Sequence, residues 1–128
     1  MDRKLTFVAI GVVFWIFGAV FIRYLGPAIF AEPTLHALFF VANFAIGALA
    51  VILFAKMTGR TRHDMLAPVA IIAMPAMLMD GLAVTTDTLG VTAIYADTAR
   101  GAALAGGALL FAFWSAFFFA LMWHRERA

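Results

Sequence analysis

The chain contains no cysteine and little charge, and these two absences exclude several classes of protein. Without cysteine it can hold neither a disulfide framework nor a thiolate metal site. Charged residues make up only 12% of the 128 residues, whereas hydrophobic residues make up 66%. Soluble domains carry about 25% charged residues. A water-soluble domain is therefore excluded, and the lipid bilayer is the expected solvent.

What the chain has instead is four long apolar runs, each of which meets the length that a helix needs to cross a hydrocarbon core about 30 Å thick. The runs are apolar on every face rather than alternating, which argues against a β-barrel. They predict an all-α integral membrane four-helix bundle, a single transmembrane domain over residues 1–128. The predicted helices are at about 5–25, 34–55, 65–86 and 101–123.

The basic residues predict how the helices are threaded. Seven of the nine Lys and Arg residues fall before the first helix, between the second and third helices, or after the fourth: Arg3, Lys4, Lys56, Arg60, Arg62, Arg125 and Arg127. Connections rich in Lys and Arg stay in the cytoplasm. We therefore expect both termini to be cytoplasmic in a bacterial inner membrane (N-in/C-in), and we expect no nucleic-acid partner because the basic residues follow topology.

Asp80 interrupts the third apolar run and is the most informative polar residue. An ionisable side chain at membrane depth costs at least about 2.5–3.5 kcal/mol, so it is kept away from lipid and paired. Counted along their helices, Asp80 lies about 22 Å and Arg23 about 27 Å from the inner ends. We predict an Arg23–Asp80 ion pair, with Arg100 as the competing partner. The alternative is that Asp80 carries a proton or a cation.

The second helix carries Asn43 at a depth similar to that of Asp80. His36, Gly47 and Ala50 share its face. Such a stripe normally turns toward the bundle, where an amide can hydrogen-bond between helices; a pore-lining amide is the alternative. Arg23, Asn43 and Asp80 are thus predicted to form a buried polar cluster between the first three helices.

The fourth helix carries a ridge of small residues spaced four apart: Ala108, Ala112, Ala116 and Ala120. Such ridges allow close helix packing in lipid, here within the chain, in a homo-oligomer or in a larger membrane complex. Ser115 beside the ridge has no His or Asp in its neighbourhood, so no catalytic constellation is found. We predict no catalytic, cofactor or metal site and do not expect an enzyme.

The outer connections carry turn and anchor signals. The pairs Gly26-Pro27 and Glu32-Pro33 bracket the first connection, since proline discourages helix continuation. A short interfacial helix is a candidate within residues 87–100. Tyr24 and Tyr95 are expected to anchor the outer interface, where amphipathic rings prefer the headgroup level.

Three stretches carry a resemblance to a known family. The chain from Gly11 to Trp15 and on to Gly26, the segment from Ala73 to Asp80, and residues 109–114 resemble a small four-helix bacterial membrane family known only as a domain of unknown function. The resemblance implies a fold and a membrane, but no activity.

A weaker similarity points to dimeric fluoride channels: Gly18-Ala19 before Arg23-Tyr24, and Asn43 followed by Gly47. Those channels carry pore phenylalanines in the third helix, and none of the 14 phenylalanines here falls within residues 65–100. Small multidrug transporters need a glutamate in the first helix, which this chain lacks. Both similarities are judged to fail.

Two functions remain in view. The first is a structural or accessory protein that uses the Arg23–Asp80 pair and binds other membrane proteins or itself through the fourth helix. The second is a small homo-oligomeric ion channel or proton-coupled transporter that uses Asp80.

Overall fold

A computed structural model describes residues 3–125 and confirms an all-α chain of four long helices. They are α1 (Arg3–Ala31), α2 (Pro33–Met57), α3 (Leu66–Thr88) and α4 (Ala99–Trp123). Each is long and apolar enough to cross a membrane, so this is a small multi-pass membrane protein. Arg127, which supports the predicted orientation, lies outside the described residues.

The helices pack in the circular order α1, α3, α4, α2. α2 lies mainly against α4, α1 mainly against α3, and α3 also contacts α4. We label the end of the bundle that carries the α1–α2 and α3–α4 connections the outer end, and the opposite end the inner end. The part of the apolar core near the inner end includes Phe7, Val51 and Met65. The part near the outer end, which includes Ala19, Ile22 and Tyr95, surrounds the site described below.

Two glycines allow the helix pairs to approach closely. A Cβ at Gly47 of α2 would overlap the side chain of Ser115 and lie 2.7 Å from the backbone nitrogen of Ala116, both on α4. A Cβ at Gly11 of α1 would overlap the Ile72 carbonyl of α3. Close approach of small residues is the main source of helix association in lipid, where apolar burial contributes little.

The first outer connection is shorter than expected. α1 continues through Gly26 and Pro27 to Ala31, and Glu32 is the single residue between α1 and α2. The predicted end near residue 25 was therefore wrong. Proline removes one backbone donor, but a helix in the membrane continues through such positions because the alternative leaves more backbone groups unpaired. The helix boundary is set instead by Glu32, whose carboxylate accepts hydrogen bonds from the backbone nitrogens of Thr34 and Leu35.

The inner connection begins with a tight turn and ends in contact with α4. Gly59 has a φ of 65°, and the backbone nitrogens of Gly59 and Arg60 donate to the last turn of α2. A 3-10 turn (Arg62–Asp64) follows. The Nδ1 atom of His63 lies 2.7 Å from the carbonyl oxygen of Trp123, so the turn satisfies a backbone group at the end of α4.

The outer connection between α3 and α4 has no helix. Residues 89–98 form an irregular loop. It contains Gly90, with a φ of 73°, near its start, and it ends at Thr98, whose hydroxyl caps α4. The short interfacial helix considered within residues 87–100 was therefore wrong. The two ends of the loop are fixed by side chains, Asp87 at the end of α3 and Thr98 at the start of α4.

Candidate functional site

Asp87, in the last turn of α3, organises the outer loop. Its carboxylate accepts hydrogen bonds from the backbone nitrogens of Ile94 at 2.8 Å, Tyr95 at 2.7 Å and Ala96 at 3.3 Å. The Thr92 hydroxyl donates a fourth at 2.6 Å. Asp87 is only 3% exposed. A buried carboxylate that accepts four hydrogen bonds therefore holds this loop in one conformation.

Fixing the loop directs Tyr95 into the bundle. The residue is 1% exposed and packs against Ala19, Ile22, Ala83 and Ala105. The expectation that Tyr95 anchors the membrane interface was therefore wrong. Tyr24, the other expected anchor, is 78% exposed on α1.

The Tyr95 hydroxyl lies in the middle of a directional hydrogen-bond chain. The indole Nε1 of Trp15 donates to the Tyr95 oxygen at 2.8 Å, and the Tyr95 hydroxyl donates to Oδ1 of Asp80. Indole can only donate, so the phenol hydrogen is free to point at the carboxylate. These two hydrogen bonds connect α1, the outer loop and α3.

Burial raises the pKa of the Tyr95 phenol well above its ordinary value, and the nearby Asp80 carboxylate adds to this effect. Tyr95 therefore stays protonated at physiological pH and serves Asp80 as a neutral donor.

The other oxygen of Asp80 has a different environment. Asp80 is 7% exposed, and its Oδ2 atom has no hydrogen-bond partner among the described residues. Asp80 helps to line a groove of about 230 Å³ between α3 and α4. The remaining lining residues are apolar except for Thr85: Met77, Gly81, Val84, Gly106, Leu109, Leu110 and Phe113.

Arg23 does not neutralise Asp80. Its guanidinium forms an ion pair with Asp97 of the outer loop at 3.1 Å, so the predicted Arg23–Asp80 pair was wrong. Counting residues along each helix estimates depth, but it does not describe where a long side chain finds a partner. Arg100, the other candidate, is exposed at the start of α4.

A second cavity of about 390 Å³ lies at the outer end of the bundle. Its polar lining includes Arg23, Asp97, Arg100 and the buried Tyr95. The cavity therefore reaches the residue that donates to Asp80.

Asn43 is buried as predicted, at 4% exposed, and Gly47 on the same face is also buried. The amide nitrogen of Asn43 has no hydrogen-bond partner in the described part of the chain, and neither does Nε2 of His36. No hydrogen bond joins Asn43 to Arg23 or Asp80 among the described residues. The three residues of the expected cluster are thus separate. Arg23 is paired with Asp97, Asp80 accepts from Tyr95, and the Asn43 amide nitrogen has no partner among the described residues.

The small-residue ridge of α4 lies inside the bundle. Ala108 and Ala120 are buried, and Ala112 and Ala116 line a small internal cavity of about 70 Å³ with Gly47 and other residues of α1, α2 and α3. The ridge is occupied by the chain's own helices. A partner that bound α4 would meet its outer face, where Leu110, Trp114 and Leu121 are exposed.

Sequence reasoning singled out Asp80 but missed Trp15, Asp87 and Tyr95 as its supporting residues. Asp87 beside a loop tyrosine is a weak signal, because acids and aromatic residues are both common at membrane interfaces. Within residues 3–125, no group of three or more His, Cys, Asp or Glu side chains could hold a metal ion.

No protein-family model, curated protein or solved structure matches the chain. The resemblance noted from the sequence stays a prediction. The functional argument accordingly depends on the geometry around Asp80.

Proposed function

We propose that this protein is a small multi-pass transporter of the bacterial inner membrane in which Asp80 exchanges a proton for a cation. The observation that carries the proposal is the buried carboxyl of Asp80, whose Oδ2 has no hydrogen-bond partner among the described residues and which belongs to a residue lining the α3–α4 groove. This supports the second function considered from the sequence, a small homo-oligomeric ion channel or proton-coupled transporter that uses Asp80, and within it the transporter.

The energetic argument starts from the partners of the carboxyl group. A buried charge needs a partner of opposite charge, and without one the group takes up a proton. The hydrogen bond to Asp80 comes from a neutral phenol, and Arg23 is paired with Asp97. Asp80 can therefore be neutral when it holds a proton, or charged when a cation is beside it.

The outer cavity offers protons a route. Tyr95 is one of the residues that line this cavity, and its hydroxyl donates to Asp80. In this proposal a proton reaches the carboxyl from the cavity side, past Tyr95. Arg23 and Arg100 also line the cavity. Arg23 is paired with Asp97 there, so Arg100 is the basic residue of the lining without an ion pair among the described residues, and it disfavours the binding of a cation in the cavity. In this proposal the proton moves past Tyr95 and the larger cation moves through the groove.

Infrared difference spectroscopy tests the proton step in nanodiscs. We expect a protonated-carboxyl band that disappears as pH rises and that is absent from Asp80→Asn. Asp97→Asn is the matched control, because that carboxylate is exposed and its removal leaves the band in place. A solid-supported membrane loaded with proteoliposomes should also show a transient current after a pH jump, lost in Asp80→Asn. If no band titrates, the exchange proposal is wrong.

A structural or accessory role is the second candidate, and one observation favours it. The chain from Trp15 through Tyr95 to Asp80 joins α1, the outer loop and α3, so it could serve only to hold them together. In that case Asp80→Asn lowers the melting temperature, and the wild type itself shows no carboxyl band that titrates with pH. For an exchange site the fold survives, because an amide oxygen still accepts from Tyr95, and the band and the current are lost.

The proposed orientation, with both termini in the cytoplasm, is supported by the distribution of Lys and Arg. A reporter that works only in the cytoplasm should be active when it is fused after residue 128. Activity of a periplasm-dependent reporter at the same position would overturn this orientation.

A further inference from the structure

The groove between α3 and α4 has an opening of its own. Met77 is 42% exposed and Leu110 is 66% exposed, and both line it. On membrane-spanning helices such exposed apolar residues face lipid. Asp80 lies about 12 Å along the helix axis from the outer end of α3. A molecule in the bilayer could therefore reach the carboxyl sideways, without crossing the outer cavity.

We propose that this groove binds a primary organic ammonium ion with an apolar body, and that this ion is the cation exchanged for the proton at Asp80. The assignment depends on the proposed exchange function and names its substrate class. Oδ2 is buried in this structure, so the Asp80 side chain would turn toward the groove to accept a hydrogen bond from the ammonium group. The apolar body would lie against Leu109, Leu110 and Phe113, which line the groove.

The composition of the groove selects this class of cation. Hard metal ions such as Mg²⁺ and Ca²⁺ take about six or more oxygen ligands, many of them water, and a groove lined mainly by apolar side chains does not favour an ion that keeps a shell of water. Asp80 and Thr85 are the two polar side chains in the groove lining. A primary ammonium needs one charged acceptor and has N–H groups that match the free carboxylate oxygen. The apolar lining then stabilises the rest of the molecule.

Two glycines provide variants that separate binding in the groove from the chemistry of Asp80. Gly81 lines the groove, and a Cβ there has no atom within 4 Å, so Gly81→Phe adds bulk to the groove without a clash at its Cβ. Gly107, on the exposed side of α4, also has no atom within 4 Å of a Cβ. Gly107 is not among the groove residues, so Gly107→Phe is the matched control.

The experiment is an infrared titration of the Asp80 carboxyl in nanodiscs with and without hexylammonium chloride, with sodium chloride at equal ionic strength as the reference. At a hexylammonium concentration about ten times its dissociation constant, the proton concentration needed for half-titration should rise about tenfold in the wild type and in Gly107→Phe. Gly81→Phe should still show a carboxyl band that titrates with pH, but its half-titration point should not respond to hexylammonium.

The outcomes distinguish the two proposals. A band that titrates with pH but ignores hexylammonium in the wild type overturns the substrate class and leaves proton exchange standing. A band that never titrates overturns both. An equal response of Gly81→Phe and the wild type places the amine outside the groove. Native mass spectrometry of the same samples tests a different occupant: a dimer broken by Gly81→Phe and kept by Gly107→Phe would assign the groove to a second copy and overturn the amine.

Discussion

Replacing Asp87 by asparagine tests whether one buried carboxylate positions Tyr95 beside Asp80. Each carboxylate oxygen of Asp87 has two donors. Oδ2 accepts from the backbone nitrogens of Tyr95 and Ala96, and Oδ1 accepts from the backbone nitrogen of Ile94 and the hydroxyl of Thr92. An amide keeps one acceptor oxygen, so its NH₂ group must face one of these two pairs of donors.

The contacts show which orientation of the new amide costs less free energy. The Thr92 hydroxyl lies 2.7 Å from the hydroxyl of Thr86 and can rotate to donate there, while accepting from the new amide. The backbone nitrogen of Ile94 has no such freedom and is left facing another donor. One stranded backbone donor costs about 1–3 kcal/mol, and the remaining hydrogen bonds lose the stronger attraction of a charged acceptor. We expect Asp87→Asn to destabilise the protein by about 2–4 kcal/mol.

The assay is thermal unfolding in detergent, combined with amide hydrogen exchange of the outer loop in nanodiscs. Asp87→Asn should lower the melting temperature and speed exchange at residues 94–96. Asp97→Asn is the control from the same loop: it removes the ion pair with Arg23, whose two side chains are 36% and 76% exposed, so about 1 kcal/mol or less is expected. If Asp87→Asn and Asp97→Asn have equal stability and equal exchange, Asp87 does not hold the loop.

Two further predictions concern helix packing and a helix end. Gly47→Ala should lower the free energy of unfolding by about 1–3 kcal/mol, because the added Cβ collides with Ser115 and with a backbone nitrogen of α4. Gly107→Ala is the control: its Cβ meets nothing within 4 Å, so it should keep the wild-type melting temperature in detergent. Equal melting temperatures for the two variants would contradict the close approach of α2 and α4. The backbone hydrogen bonds that α2 donates to Glu32 lower the pKa of its carboxyl, so its contribution to stability is complete above the unfolded pKa and is lost as pH falls through the lowered folded pKa. The melting temperature of Glu32→Gln should therefore fall less than that of the wild type over this acidic range, and parallel curves would show that Glu32 does not cap α2.

The fold was predictable because few backbone structures satisfy all of their hydrogen bonds within a membrane. An apolar run of sufficient length satisfies its backbone as a helix, and four such runs make four helices. The errors came at the outer ends, where Gly26 and Pro27 lie within α1 and the predicted interfacial helix is an irregular loop. Proline rules derived from water-exposed chains overestimate how readily a helix stops in lipid, where unpaired backbone groups cost more.

The site was only partly predictable. The cost of burying a carboxyl in the membrane identified Asp80 from its position in an apolar run. Its partner could not be identified in this way, because Tyr95 reaches Asp80 only after Asp87 has fixed the loop between them. A donor placed by three backbone hydrogen bonds in an irregular loop leaves no periodic pattern in the sequence. Arg23 was the natural candidate by depth, but Asp97 was not considered as its partner.

The identity of the partner determines what Asp80 can do. An arginine at hydrogen-bond distance would hold the carboxyl in its charged form and already neutralise it, so the group would take up neither a proton nor a second cation readily. A phenol that stays protonated donates to Oδ1 in either state of the carboxyl and carries no charge itself. Oδ2 is then left to bind whichever positive species is present, a proton or a larger cation. Because Tyr95 holds Oδ1 in place, the exchange can occur at one oxygen without moving α1 or α3. A tyrosine in this position therefore suits a site that changes its charge, whereas an arginine would suit one that keeps it.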